Sequence, residues 1–189
     1  MGHIRKARFA AVFGAGVLLL GAETTVMAQS GLSARLALSN VIFSQHVGSI
    51  EGTGFTLFID KQAMADRDVA VSRLHFTDAT ITDLCMSAPI NLPGLGEKKF
   101  QMMVPGNGTT AHNLVIGAES LAGSLSMDNV QIGVDATQLS DDAIPGSFGI
   151  NAANLSAIQQ DIRATSIAAD KLSANGGTIT IEDGDGGKC

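Results

Sequence analysis

The sequence predicts an all-β domain of antiparallel strands, and two observations predict it. Apolar and polar residues alternate with a period of two in run after run, and clusters of Gly, Asn, Asp and Pro separate the runs. Alternation puts every second side chain on one face of a pleated strand, whereas a helix needs a stripe every 3.6 residues. Turn-forming residues close each run. The length suits one domain, and 45% apolar residues are enough for a core.

The first strands are read at Leu36 and Leu38 with Val41 and Phe43, and then at Phe55, Leu57 and Ile59. Later, Leu125 and Met127 alternate, as do Val130, Ile132 and Val134; the change of parity around Asp128 and Asn129 reads as a β-bulge. Turns are placed at 91–96, 105–108, 140–147 and 174–177. The one stretch with a helical look is Asn154 to Lys171, but Ile158, Ile162 and Ile167 hold no clean stripe, so it is read mostly as two further strands. A weak rhythm runs through Ile116/Leu121, Ile132, Ile150/Leu155 and Ile167/Leu172, in steps of 16, 18 and 17 residues. It suits either the returns of a meandering sheet or the coils of a β-solenoid. The expected fold is therefore a curved sheet or sandwich, with a short β-solenoid as the alternative, because all of these write alternating strands with turns between them.

The chain before this domain reads as a cleaved signal peptide, residues 1–28. A basic start with His3, Arg5, Lys6 and Arg8 leads into an apolar run from Phe9 to Ala22, and Val26-Met27-Ala28 precedes the expected cut at Gln29. The run has about 14 residues, short of the roughly 20 that cross a bilayer core. A secreted domain at 29–189, outside the cytoplasmic membrane, follows.

Composition excludes some functions. With 12 Lys and Arg against 18 Asp and Glu the formal net charge is −6, and losing the basic leader makes the remainder more acidic. Such a surface repels phosphate backbones, so no nucleic-acid partner is expected. Trp and Tyr are absent, which disfavours the ring stacking that sugar binders use.

Two cysteines remain, Cys85 and Cys189. In an oxidising compartment an even count favours one disulfide between them, with two free thiols or a link to a partner as rivals. Neither has a histidine or second cysteine at a redox spacing. The histidines beyond the leader are His46, His75 and His112, each read as a surface or strand residue. His75 with Asp78, or His112 with Glu119, could contribute to a metal site only with distant partners. Asp183 and Asp185 with their glycines resemble part of a calcium loop without its flanking ligands, and read better as a solvated tail. Asn107-Gly108-Thr109 fits a glycosylation sequon and reads as a turn. No catalytic, cofactor-binding or metal site is assigned, and no cofactor.

The stretch Ser49-Ile50-Glu51-Gly52-Thr53-Gly54-Phe55 is followed by Ala79-Thr80-Ile81-Thr82-Asp83-Leu84-Cys85, Ala111-His112-Asn113-Leu114-Val115-Ile116, Met127-Asp128-Asn129-Val130-Gln131-Ile132-Gly133 and a lysine-cysteine ending. These segments resemble a family of small exported actinobacterial proteins of uncharacterised function, often labelled cholesterol esterase by automated naming. The resemblance implies a signal peptide, cysteines at 85 and 189, and a neighbouring small multi-span membrane protein as a partner. It implies no mechanism. An α/β-hydrolase serine needs a Gly-x-Ser-x-Gly elbow. None occurs here, and the nearest imitation, Gly117 to Gly123, has the wrong spacing.

The functional expectation is thus an envelope protein that binds a lipid or other hydrophobic ligand, or an envelope partner. The alternatives are a structural subunit of that membrane protein and an ester hydrolase; enzymatic activity is left open, with the residues leaning against it. Seven Met and eight Phe residues prompt the first reading. Met86, Met102, Met103 and Met127 are adaptable side chains that suit an apolar binding surface or the filling of a core.

Overall fold

The computed structural model describes residues 34–36, 41–64, 67–92, 94–141, 143–184 and 189; the expected signal peptide, its expected cleavage site and Asp185 lie outside them. The fold is all-β. Among the described residues ten strands form one antiparallel sheet: β1 (Ala34–Leu36), β2 (Phe43–Ala63), β3 (Asp68–Thr82), β4 (Leu84–Leu92), β5 (Gly96–Val104), β6 (Thr109–Asp128), β7 (Gln131–Asp135), β8 (Phe148–Ala169), β9 (Lys171–Ala174) and β10 (Thr178–Asp183). A single 3-10 turn, Ala136–Gln138, follows β7.

The four longest strands close on themselves. β2 pairs with β3, β3 with β6, β6 with β8, and β8 again with β2. Closure removes the free edges that a sheet otherwise leaves unpaired. The enclosed face carries the core, with Phe43, Val47, Ile50 and Phe55 from β2, Leu74 and Phe76 from β3, Leu114 and Ile116 from β6, and Leu155 and Ile162 from β8. Phe55 and Phe76 pack with ring centroids 5.1 Å apart and planes tilted by 47° inside the circuit.

Strands this long keep one face inward only by resetting their parity. Gly54, Asn113 and Gln159 have φ of 60, 53 and 51°, in the left-handed region. Around each, buried positions fall three apart instead of two: Gly52 and Phe55, Ala111 and Leu114, Ala157 and Gln160. This corrects the reading of Asn154 to Lys171 as two strands. The segment belongs almost wholly to the single 22-residue β8, whose alternation is interrupted by Gln159 and by register shifts against β6. The parity change at Asp128 and Asn129 is likewise a strand end and not a bulge, since β6 stops at Asp128 and Asn129 turns with φ of 52°.

One end of the circuit is widened by shorter strands. β4 pairs with the start of β2 and with β5, β5 pairs with β10, and β9 pairs with the start of β6. Asp83, at φ of 48°, separates β3 from β4. Its N–H donates to the Gly106 carbonyl at 2.8 Å, and its carboxylate accepts from the Gly106 N–H at 2.7 Å. The Asn175 N–H donates to the Gly108 carbonyl at 2.8 Å. Three strand breaks therefore stand side by side, and there the sheet turns into its wider part.

Candidate functional site

The widened end encloses a cavity of about 280 Å³. Apart from Gln45 and Thr109, every residue lining it is apolar. Ile81, Leu84 and Met86 come from β3 and β4, Phe100 and Met102 from β5, Leu114 and Ile116 from β6, and Ile167 from β8. Ile179 of β10 also lines it and is 62% exposed, so the cavity meets solvent along that strand. Register explains the arrangement: Met86 pairs with Met102, and Met102 with Ile179, which puts one residue from each of β4, β5 and β10 in a single row.

Two oxygens at this site have no hydrogen-bond partner among the described residues. Gln45 and Thr109 are almost fully buried, and Gln45 Oε1 and Thr109 Oγ1 are both unpaired. Buried polar atoms in folded proteins are nearly always paired, so each one left over calls for an explanation. Among the described residues nothing ionisable lines the cavity.

Cys85 and Cys189 are joined by a disulfide, with Cα atoms 5.9 Å apart. Cys85 stands across from Met103, and Met103 across from Thr178. The bond therefore fixes Cys189 beside β4, level with the row in which β10 begins. It ties down the strand that rims the cavity mouth.

The remaining candidates sit on the outer surface as cross-strand pairs. His46 Nδ1 and Asp161 Oδ1 are 2.8 Å apart, and these residues face each other on β2 and β8. His112 Nδ1 lies 2.9 Å from Asp78 Oδ1, and these too are register partners. His75 Nε2 lies 2.6 Å from Asn113 Oδ1. Neither pairing suggested by sequence proximity forms: Asp78 meets His112 instead of His75, and Glu119 accepts from Arg163 at 3.0 Å. Strand register, which joins residues far apart in sequence, decides these partners. Among the described residues no group of three or more His, Cys, Asp or Glu side chains could hold a metal ion. The Asp183 carboxylate is engaged by Lys98, whose hydrogen bond and charge hold it below the ordinary aspartate range.

The methionines divide. Met86 and Met102 line the cavity, Met127 packs on the core, and Met103 is exposed. Gln45 and Thr109 were not singled out as site residues from the sequence. A polar residue at an inward position of an alternating strand is the only signal that could have done so.

Neither the comparison with curated proteins nor that with solved structures gave a match. A family of unknown function does match, over residues 39–189, which takes in the whole β2–β10 sheet together with both cysteines; the chain belongs to that family, DUF6230.

Proposed function

We propose that this is an exported cell-envelope protein that holds a lipid or other apolar molecule in the cavity at the widened end of its sheet. The observation that carries the reading is the cavity itself: about 280 Å³, walled by aliphatic, Phe and Met side chains and open along β10. Ligand sites are concave, mostly apolar, and carry a few convergent polar groups, though commonly of about 300 Å³ or more, so this one suits a small occupant. Each methylene moved from water into such a wall contributes about 0.8 kcal/mol, against an association cost of at least about 4 kcal/mol. A chain of moderate length can therefore be retained. The disulfide supports the extracytoplasmic placement, because such bonds persist in oxidising compartments.

Native mass spectrometry of the exported protein before and after solvent extraction tests this. The expected result is an extra mass that extraction removes, and that is missing from a folded Ala169→Phe variant, whose new ring would occupy the cavity Ala169 lines. A bare protein in both preparations, together with failure to take up any apolar probe, would count against it.

A second reading has one observation in its favour. Among the described residues β10 pairs only with β5, and both Ile179 and Ile181 are exposed, so a strand edge with an apolar face is open to a partner such as a small multi-span membrane protein. Crosslinking in the native envelope would trap that partner through β10.

A further inference from the structure

We infer that the molecule held in the cavity is an uncharged single-chain alcohol, whose hydroxyl donates inside the protein to Gln45 or Thr109. This rests on the ligand-binding reading above and specifies its chemistry.

The unpaired oxygens carry the argument. Among the described residues four buried side-chain atoms lack a partner, and two of them, Gln45 Oε1 and Thr109 Oγ1, belong to residues lining this one cavity. A third, Gln160 Oε1, belongs to a residue beside a cleft of only about 40 Å³. An amide oxygen only accepts, so what completes it must donate. The Thr109 hydroxyl both donates and accepts, so an ether or an ester could meet it but not Gln45 Oε1, whereas an alcohol, which does both, can meet either.

Charge narrows the class further. With no Lys, Arg or His on the wall among the described residues, a carboxylate or phosphate headgroup would be buried without a counter-charge, and with no Asp or Glu among them the same holds for an ammonium group. Fatty-acid anions and phospholipid headgroups are disfavoured inside. Size sets the tail: since an apolar cavity of about 150 Å³ accepts benzene, one of about 280 Å³ suits a chain on the order of ten carbons. A longer tail would leave past Ile179 and Ile181, both of which are exposed.

The test is displacement of a neutral apolar dye, N-phenyl-1-naphthylamine, from the exported disulfide-bonded protein by 1-decanol, methyl decyl ether and decanoate at pH 7.5. The alcohol is expected to displace the dye at about tenfold lower concentration than the ether, as one or two hydrogen bonds made against otherwise unpaired oxygens would give. Decanoate is expected to be weaker than the alcohol. Gln45→Met and Thr109→Val keep the side-chain bulk while removing the acceptors. At least one should bring the alcohol-to-ether ratio close to one and leave the ether within about twofold of its wild-type value. Thr109→Val should also raise the melting temperature of the ligand-free protein, because it removes an unpaired buried hydroxyl. Equal displacement by alcohol and ether, as when a water already bonds both oxygens, would overturn the inference and leave ligand binding standing. So would an alcohol preference that persists in both variants. Failure of the dye to bind at all would overturn the cavity reading with it.

Discussion

Ile116 on β6 stands directly across from Ile167 on β8, and both line the cavity. Ile132 on β7 stands across from Ile150 on β8 in the same way. The rhythm of isoleucines in the sequence is therefore made of cross-strand pairs in an antiparallel sheet, and the equal steps do not mark successive coils. Their energetic weights differ sharply, since Ile116 is 1% exposed and Ile132 is 65% exposed. Ile116→Ala is expected to cost about 2–4 kcal/mol, and Ile132→Ala to stay within about 0.5 kcal/mol. Urea unfolding of the two variants checks this, and equal losses would contradict the burial.

Cutting the disulfide should loosen β10 before anything else. The bond closes a loop with a sequence separation of 104, and cross-links of that span contribute about 2–4 kcal/mol by restricting the unfolded chain. With Cys189→Ser, β10 keeps its ladder to β5 but loses the tether beyond it. Global stability is expected to fall by about that amount. Hydrogen exchange should rise most at Thr178–Asp183, beyond the fall in protection that the lower global stability imposes on β2 and β8. Uniform loss of protection across the sheet would show that the bond acts only on the unfolded state.

Much of this arrangement was legible in the sequence because it is local. Turn clusters end strands wherever Gly, Asn, Asp or Pro must bend the chain, and β4–β5, β5–β6 and β9–β10 break where those clusters lie. Closure of the sheet was not legible. The pairing of β2 with β8 joins Phe43 to Ala164 and Phe58 to Gly149, and no local pattern encodes a contact of that span. Long strands were harder still, since left-handed Asn113 and Gln159 interrupt the alternation without a glycine to announce it. The cavity was hidden for a related reason. Met86, Met102, Thr109 and Gln45 lie on four different strands, and only the register makes them neighbours of one space.

Acid should open the loop that follows β7. Asp135 accepts from the Thr137 N–H at 3.0 Å and the Thr137 hydroxyl at 2.7 Å, and reaches the Gly146 N–H at 3.2 Å. These bonds, those to Thr137 first, hold its carboxyl below the ordinary aspartate range. A depressed folded pKa means that the ionised form is favoured by folding. Its contribution is therefore complete above the unfolded value of about 3.9 and is lost as pH falls through the folded value. Amide exchange at Thr137 and Gly146 should accelerate in that window, with Asp135→Ala showing the fast rate at every pH. An unchanged profile in the wild-type protein would show that the backbone bond of Ala136 to Ser147 holds the loop alone.

The two glycines of Glu51-Gly52-Thr53-Gly54-Phe55 are required for different reasons, and substitution separates them. Gly54 has φ of 60°, a conformation that costs an L-residue about 1–2 kcal/mol, and a β-carbon there would also press on Thr77 Oγ1. Thr77 is exposed and its hydroxyl can rotate away, although its Cβ, 3.0 Å from the added carbon, must also give slightly, so Gly54→Ala should cost the backbone term and a small local shift. Gly52 needs space instead. A β-carbon there would lie 2.4 Å from Cδ1 of Phe76, a ring buried at 1% exposure against Phe55. Overpacking of that kind costs about 1–3 kcal/mol and has no exposed side chain to relieve it. If the clash is the cause, Phe76→Leu should recover part of the loss in Gly52→Ala and none of the loss in Gly54→Ala. A double-mutant cycle by chemical unfolding reads this as a coupling of about 0.5–3 kcal/mol for the first pair and near zero for the second. Coupling of equal size in both cycles would mean that Phe76 responds to any disturbance of β2, and the close approach at Gly52 would lose its special place.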